Sequence, residues 1–411
     1  MISLSASMRQ AVLLSLALWG SCQAAELTWY KGNTHTHTFW SDGGEFPETV
    51  ADTYRQKGYH FLALSDHNVL SQGERWITYA DKKATAVDEA MQRTSARWGA
   101  DHLQVREKDG RKQVRLLPLN EVRKLVEQPG RFIMIESEEL TSGVAQGKQV
   151  HSNALNIDKR LPVKPKKENT VEQELAAHQK LVHGYRQGVE RPVFWSINHP
   201  NYQSSLTAKD LVGVNEANAV EIMNTSATCF NNGNGKDLIP VEKMWDEANT
   251  ARLQQGLAPL YGMAADDSHK YDSGKPVLYG PGLAWVMVHS PALTAEAITA
   301  AMQRGDFYCS TGITLETVDF DRQAGTLTIA VTPEAGRQYT IEFIGCVKTG
   351  AGMKTGQILQ TTAGVRAVYK LQGTELFVRA VVRCDAPPVI KYDDYMNIEP
   401  KAWTQPVGWR K

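Results

Sequence analysis

The stretch that most restricts what this chain can become runs from Gly32 to His67, GNTHTHTFWSDGGEFPETVADTYRQKGYHFLALSDH. His35 and His37 are separated by one residue, Asp42 follows five positions later, and Asp66-His67 closes the segment after an apolar run. In an extended strand, residues i and i+2 share a face, so His35 and His37 can address one ion while Thr36 turns away. The Ser-Asp-Gly-Gly loop after them can fold Asp42 back over the same point, because glycine tolerates sharp backbone turns. Pro47 opens a helix predicted to Lys57 and Gly58 ends it. Phe61 to Ser65 then reads as a buried strand that delivers Asp66 and His67 at its C-terminal end, where α/β proteins place their sites. The segment is a βαβ unit whose two strand ends carry ligand-type side chains.

These residues resemble the first two motifs of the PHP (polymerase and histidinol phosphatase) family, in which a strand ends in His-x-His, a Ser-Asp-Gly loop follows, and a second strand ends in Asp-His. The resemblance continues downstream. In RFIMIESEEL, Arg131 to Leu140, it selects Glu139, ahead of Leu140-Thr141, as a metal ligand; a slip of one residue would choose Glu138 instead. His151 in VHSNALNID is its partner, His199-Pro200 after PVFWSIN is similar to the family's fourth motif, and Asp267 and His269 match its Asp-x-His. The phrase Leu293 to Gly312 resembles the end of the barrel in the secreted carbaryl-hydrolase-like branch, and Ala402 to Pro406 resembles the closing phrase of its appended domain. The fold implied is α/β: a distorted (β/α)7 barrel over residues 26–312, with residues 68–128 as an insertion, followed by a small all-β sandwich over 313–411.

The remaining chain is consistent with that division. At 411 residues it is long enough for one large domain and a smaller one. Residues Glu74 to Trp98 have helical composition, Asp109-Gly110 marks a hairpin, and Asn120 is positioned to cap a short helix. In AVEIMNT, Ala219 to Thr225, a buried strand carries Glu221 and Asn224 near its end, where they can line a pocket. From about Ile313 onward the pattern changes to short alternating strands separated by Gly and Asp turns, as in a β-sandwich. His178 and His183 are five apart and do not share a helix face, so they read as ordinary helix residues. Lysines and arginines equal aspartates and glutamates at 45 each, so no overall field recruits nucleic acid or an acidic membrane.

Arg9, the apolar run AVLLSLALWG and the small residues near Ala24-Ala25 form an export signal over residues 1–25, implying a periplasmic or secreted protein. Cys22 offers lipid anchoring as an alternative, although Trp19 stands where a bacterial lipobox has leucine. No other stretch is long enough to span a bilayer. Cys346 and Cys384 can pair in an oxidising compartment, but connectivity does not follow from sequence.

Collected, the candidate ligands are His35, His37, Asp42, His67, Glu139, His151, His199, Asp267 and His269. They include six of the eleven histidines. Mixed imidazole and carboxylate donors suit Zn²⁺, Mn²⁺ or Fe²⁺, and nine of them exceed one ion's needs, implying two or three ions with Glu139 or Asp42 bridging. Asp66 is expected to orient a ligand or water, and His199 to act catalytically as well as bind metal. No G-x-S-x-G elbow supplies a serine nucleophile. Metal-assisted hydrolysis of a small ester follows, with the family favouring a phosphoester, its secreted branch a carboxyl ester or carbamate, and a non-catalytic metal- or glycan-binding protein the remaining class.

Overall fold

The computed structural model describes residues 27–409, apart from 80, 81, 83, 272–274 and 392–395. The expected export signal and Cys22 therefore lie outside the described residues. β1 (Thr28–Asn33) and β2 (Phe61–Leu64) run parallel, with α1 (Pro47–Gln56) between them. Pro47 opens the helix and Gly58, at φ +75°, stands just past its end. At Gly32 a side chain is excluded: a Cβ would lie 2.1 to 2.3 Å from the Phe61 ring.

The insertion forms its own antiparallel sheet, in the order β3-β5-β4, from β3 (Arg75–Thr78), β4 (Val105–Lys108) and β5 (Arg111–Leu116). Asp109 and Gly110 both have positive φ, the geometry a two-residue type I′ hairpin demands. The helix expected from Glu74 begins ten residues later, as α2 (Ala84–Trp98). Arg-Trp-Ile-Thr is instead drawn into pairing with β5, a tertiary contact that outweighs local helical composition. Asn120 does not cap α3 (Leu119–Val126): the capping position is Pro118 and Asn120 lies inside the helix.

A single 13-stranded sheet organises the rest. β6 (Ile133–Gly143) is parallel to β2, and β7 (Gln149–Leu155) is antiparallel to both β6 and β8 (Phe194–Ile197). α4 (Val171–Arg186) connects β7 to β8; β8, β9 (Ala219–Asn224) and β10 (Tyr261–Ala265) run parallel, with α5 (Ala208–Val212) and α6 (Val241–Gln254) in their connections. β2, β8, β9 and β10 are buried at every position, as strands covered on both faces must be. Just past β10, Ser268 bridges Thr36: His37 N–H donates to Ser268 O at 3.0 Å and Asp267 N–H to His35 O at 3.0 Å. The edge of the sheet thereby curls back to the end of β1, and the intervening strand ends share one rim.

On the other side of β1 lie β11 (Trp285–Ser290) and, after α7 (Ala295–Arg304), β12 (Phe307–Ser310). The C-terminal strands are β13 (Leu315–Asp321), β14 (Thr326–Val331), β15 (Tyr339–Thr349), β16 (Gly352–Ala363), β17 (Arg366–Lys370), β18 (Glu375–Cys384) and β19 (Lys401–Thr404). β13, β14 and β17 form a separate sheet, and side chains of both sheets, including Leu315, Ile329, Phe343 and Val382, join one apolar cluster. The other layer is not detached as a free-standing sandwich would be. It is hydrogen-bonded into the main sheet through β12 and β19, Tyr308 facing Thr404. The pairing of Cys346 with Cys384 is corrected. Cys346 faces Phe377 across β15 and β18, whereas Cys384 faces Tyr339, seven residues further along. That is about 23 Å of strand, far beyond disulfide reach. No helix among the described residues is long and apolar enough to cross a membrane.

Candidate metal centre

Every strand of the curled part of the sheet, from β1 round to β10, except β9 contributes a donor to the rim. His35 and His37 follow β1, His67 follows β2, Glu139 lies in β6 and pairs with His67, His199 follows β8, and Asp267 and His269 follow β10. His151 differs from the others: it stands near the start of β7, opposite Thr141. Because β7 is antiparallel to its neighbours, its beginning rather than its end reaches the rim. Asp42 arrives on the loop, which folds so tightly on His37 that a Cβ at Gly43 would lie 2.4 Å from that residue's carbonyl carbon and oxygen.

Glu139 is the centre of the cluster. Its carboxylate lies 3.2 Å from His35 Nε2, 3.7 Å from His37 Nε2, 2.6 Å from His67 Nδ1, 3.2 Å from His151 Nδ1 and 3.4 Å from His199 Nε2. Asp267 Oδ1 stands 3.2 Å from His35 Nε2 and 3.0 Å from His37 Nε2, and Asp42 Oδ1 3.5 Å from His67 Nε2 and 3.3 Å from His269 Nε2. All nine expected side chains fall into four overlapping groups: His37, Asp42, His67 and His269; His35, His37 and Glu139; His35, His199 and Asp267; and His67, Glu139 and His151. Within each group the donor atoms are mutually within 4.8 Å.

The donor chemistry fits divalent cations. His35 Nε2, His37 Nε2 and both ring nitrogens of His151 are buried without a well-directed hydrogen bond among the described residues, His35 Nε2, His37 Nε2 and His151 Nδ1 meeting only the carboxylates of Glu139 and Asp267 at 3.0–3.7 Å. Leaving such atoms unsatisfied is costly, and a cation at the shared centres would satisfy them. The field has the matching sign. Burial works against a charge on His35, yet Asp267, Glu221 and Glu139 hold its pKa well above the imidazole range. Burial likewise opposes ionisation of Glu139, but His67, His151 and His35 hold its carboxyl well below the usual range. His37 goes the other way, down to about 4, through burial and the neighbouring His269 and His67.

Behind these groups is a supporting layer. Glu221 accepts from His35 Nδ1 at 2.7 Å, from the His199 amide at 3.0 Å and from Asn224 Nδ2 at 2.9 Å, which presents His35 Nε2 to the cluster. Asn198 donates to Glu139 Oε1 at 2.8 Å and Ser226 to Asp267 Oδ2 at 2.9 Å. Asp66 meets the cluster through the loop after β1, where the Ser41 hydroxyl that it accepts from lies 3.3 Å from His37 Nδ1. It accepts from the Thr38 amide at 2.8 Å, the Thr38 hydroxyl at 2.8 Å and the Ser41 hydroxyl at 2.5 Å, pinning the loop that carries Asp42. Asp266 faces away and accepts the amides of Gly282, Leu283 and Ala284. His178, read from the sequence as an ordinary helix residue, is buried, and its ring bridges the hydroxyls of Ser142 and Ser152 at 3.0 Å each.

The Glu138 alternative is decided by the pleat of β6. Glu138 points to the opposite face, accepts the Leu161 amide, and is pushed up to about 7 by burial. A raised acid pKa means that the folded chain holds the proton more tightly than the unfolded one. The resulting stability is complete below the ordinary value of about 4.5 and is lost as pH rises through about 7. Glu138→Gln should therefore flatten the fall in unfolding free energy measured between pH 5 and 8. An unaltered slope would reject this reading.

Above the donors is a cavity of about 280 Å³, also lined by Tyr202, Ser226, Thr228, Lys270 and Tyr279. Sequence reasoning did not identify these residues as pocket lining, nor Asn198 as a partner of Glu139. For Asn198, Tyr202 and Lys270, proximity to His199 or His269 in the chain was the signal available; Ser226 and Thr228 instead follow the end of β9.

No protein-family model matches this chain, and neither does any curated protein. Among solved structures it is similar to a two-domain protein containing a predicted PHP-like metal-dependent phosphoesterase from Bacteroides vulgatus: 13% identity, 92% of this chain and 95% of that one, TM-score 0.38. It is also similar to PsfC from Pseudomonas syringae, at 11% identity over 67% of this chain and 87% of that one, TM-score 0.33. An amidohydrolase from Chromobacterium violaceum with bound sulfate and no metal aligns at 12% identity over 61% and 88%, TM-score 0.27. Likenesses this distant carry no weight for function, which rests on the side chains.

Proposed function

We propose that the chain is an exported metal-dependent hydrolase of the PHP type, acting on a small phosphoester, with its curled sheet serving as the family's barrel. The observation that carries this reading is the convergence of six imidazoles and three carboxylates, drawn from sequence positions 35 to 269, on one set of shared centres. His35, His37, Asp42, His67, Glu139, His151, His199, Asp267 and His269 would hold two or three Zn²⁺, Mn²⁺ or Fe²⁺ ions. Such ions supply Lewis acidity and lower the pKa of water, so that neither serine nor cysteine is needed as a nucleophile. Glu221, Asn198 and Ser226 keep the donors aligned, and the Asp66-anchored loop holds Asp42 over the mouth. Lys270 beside the cavity favours a substrate with negative charge, as a phosphomonoester has and a carbamate lacks. Export follows from the apolar N-terminal run.

The test is a panel of aryl phosphate, aryl carboxyl ester and aryl carbamate, measured before and after chelation. The phosphate should be the fastest substrate, its hydrolysis lost on chelation and restored by Zn²⁺, Mn²⁺ or Fe²⁺. Faster cleavage of the ester or carbamate would transfer the assignment to that class, and chelator-insensitive activity would remove the metal from it.

A further inference from the structure

The turn after β8 is built with unusual backbone. Within His199 to Ser205, three non-glycine residues adopt positive φ: His199 at 25°, Gln203 at 53° and Ser204 at 52°. Such conformations are disfavoured and persist only where surrounding bonds impose them. Here the bonds are visible. Asn201 Nδ2 donates to the carbonyls of Phe230 and Ile239 at 2.9 Å each, Tyr202 N–H donates to His199 O at 2.9 Å, and Leu206 N–H donates to Pro200 O at 2.9 Å. What the turn delivers, besides His199, is Tyr202. Its ring stands edge-on to His199 with centroids 5.1 Å apart, lies 6.0 Å from that of His151, and forms part of the cavity wall.

The hydroxyls around the cavity are not equivalent. Ser226 donates to Asp267, and Tyr279 and Thr228 bond to each other. The Tyr202 hydroxyl shows no protein partner among the described residues, although the backbone around it is held in a strained form. A donor kept free beside the reacting centre is suited to a group that arrives with the substrate.

We propose that Tyr202 is a catalytic residue that donates a hydrogen bond to the leaving-group oxygen of the bound phosphoester. The inference rests on the hydrolase reading above and adds the group that stabilises the departing alcohol. In the step concerned, water oxygen forms a bond to phosphorus while the bond from phosphorus to the ester oxygen breaks, its electron pair remaining on that oxygen. The phenol O–H stabilises the developing charge without losing its own proton. The proton given up by the attacking water ends on the leaving oxygen, so that ester and water become phosphate and alcohol.

The experiment compares wild type with Tyr202→Phe, which keeps the ring against His199, across phosphomonoesters whose leaving groups range from nitrophenol to an unactivated alkyl alcohol. For the nitrophenyl ester kcat/KM should fall no more than about threefold; for the alkyl ester it should fall about a hundredfold, the scale of one such donor. The dependence of rate on leaving-group acidity becomes steeper. Metal content and inhibition by inorganic phosphate should stay at wild-type values, whereas a merely structural role would lower metal content or depress all substrates equally. Parallel leaving-group dependences in the two proteins would overturn the assignment to Tyr202 while leaving the hydrolase reading intact. A wild-type protein inactive on every phosphomonoester would end both.

Discussion

Glu139→Gln is expected to lower kcat/KM by at least about a thousandfold and to strip most of the bound metal, with the fold retained. Losses of roughly ten- to a hundredfold in metal affinity are usual for groups that only support a ligand, and Glu139 is placed more centrally than that. It is fully buried and approaches five of the six clustered imidazoles within 3.7 Å. Glutamine preserves the shape and removes the charge, so the rings lose the anion around which they are gathered. Glu138→Gln is the internal control, one residue away on the opposite face of the same strand, and its activity should remain near wild type. Metal content by elemental analysis and steady-state kinetics on both variants check this. Full activity in Glu139→Gln would falsify the bridging part given to this carboxylate.

The second large effect lies away from the chemistry. Arg379, 1% exposed on β18, reaches across to α6: Nε and NH2 bond the two Asp246 oxygens at 2.8 and 2.7 Å, and NH2 bonds Glu242 at 3.0 Å. Trp403 Nε1 donates to the other Glu242 oxygen at 2.9 Å, and the guanidinium carbon lies 4.8 Å from the Trp245 ring centroid. This arrangement ties the C-terminal strands to a helix of the main layer. Arg379→Ala would leave the buried Asp246 carboxylate, with the partly exposed Glu242 beside it, without its counter-charge, at a cost of about 3–5 kcal/mol. Most of that cost comes from the stranded Asp246 anion rather than from a lost attraction. Combining Arg379→Met with Asp246→Asn should therefore be less destabilising than the sum of the two single changes, as read from denaturant unfolding of all four proteins. Simple additivity would show that the two residues are uncoupled.

His35, His37, Asp42 and His67 were legible from strand periodicity and the glycine-rich loop between them, whereas Glu139, His151, His199, Asp267 and His269 were selected by the resemblance to the family's later motifs. The gathering of those ends was not legible from spacing alone, since it depends on the bridge of Thr36 to Ser268 across more than two hundred positions. Glu138 and Glu139 could not be separated by pattern, because either phase of the pleat satisfies a buried strand; the packing of β6 decides between them. For Asp66 the sequence indicated the neighbourhood but not the partners. Its bonds go to Thr38 and Ser41, three and six residues past His35, a contact that only the folded backbone creates. Arg75 to Thr78 failed for a related reason: helical composition nearby concealed a strand whose partner, β5, lies more than thirty residues away. The C-terminal strands were recognisable by alternation, but their continuity with the main sheet rests on β19 pairing with β12, again a long-range event.

The central claim is that these nine side chains hold a cluster of divalent ions, and anomalous diffraction from crystals of the metal-loaded protein tests it most directly. Two or three anomalous peaks should appear among His35, His37, Asp42, His67, Glu139, His151, His199, Asp267 and His269, at about 2.0–2.3 Å from their nitrogen and oxygen atoms. Peaks elsewhere on the molecule, or fully loaded protein with no peak inside this ring of side chains, would contradict it.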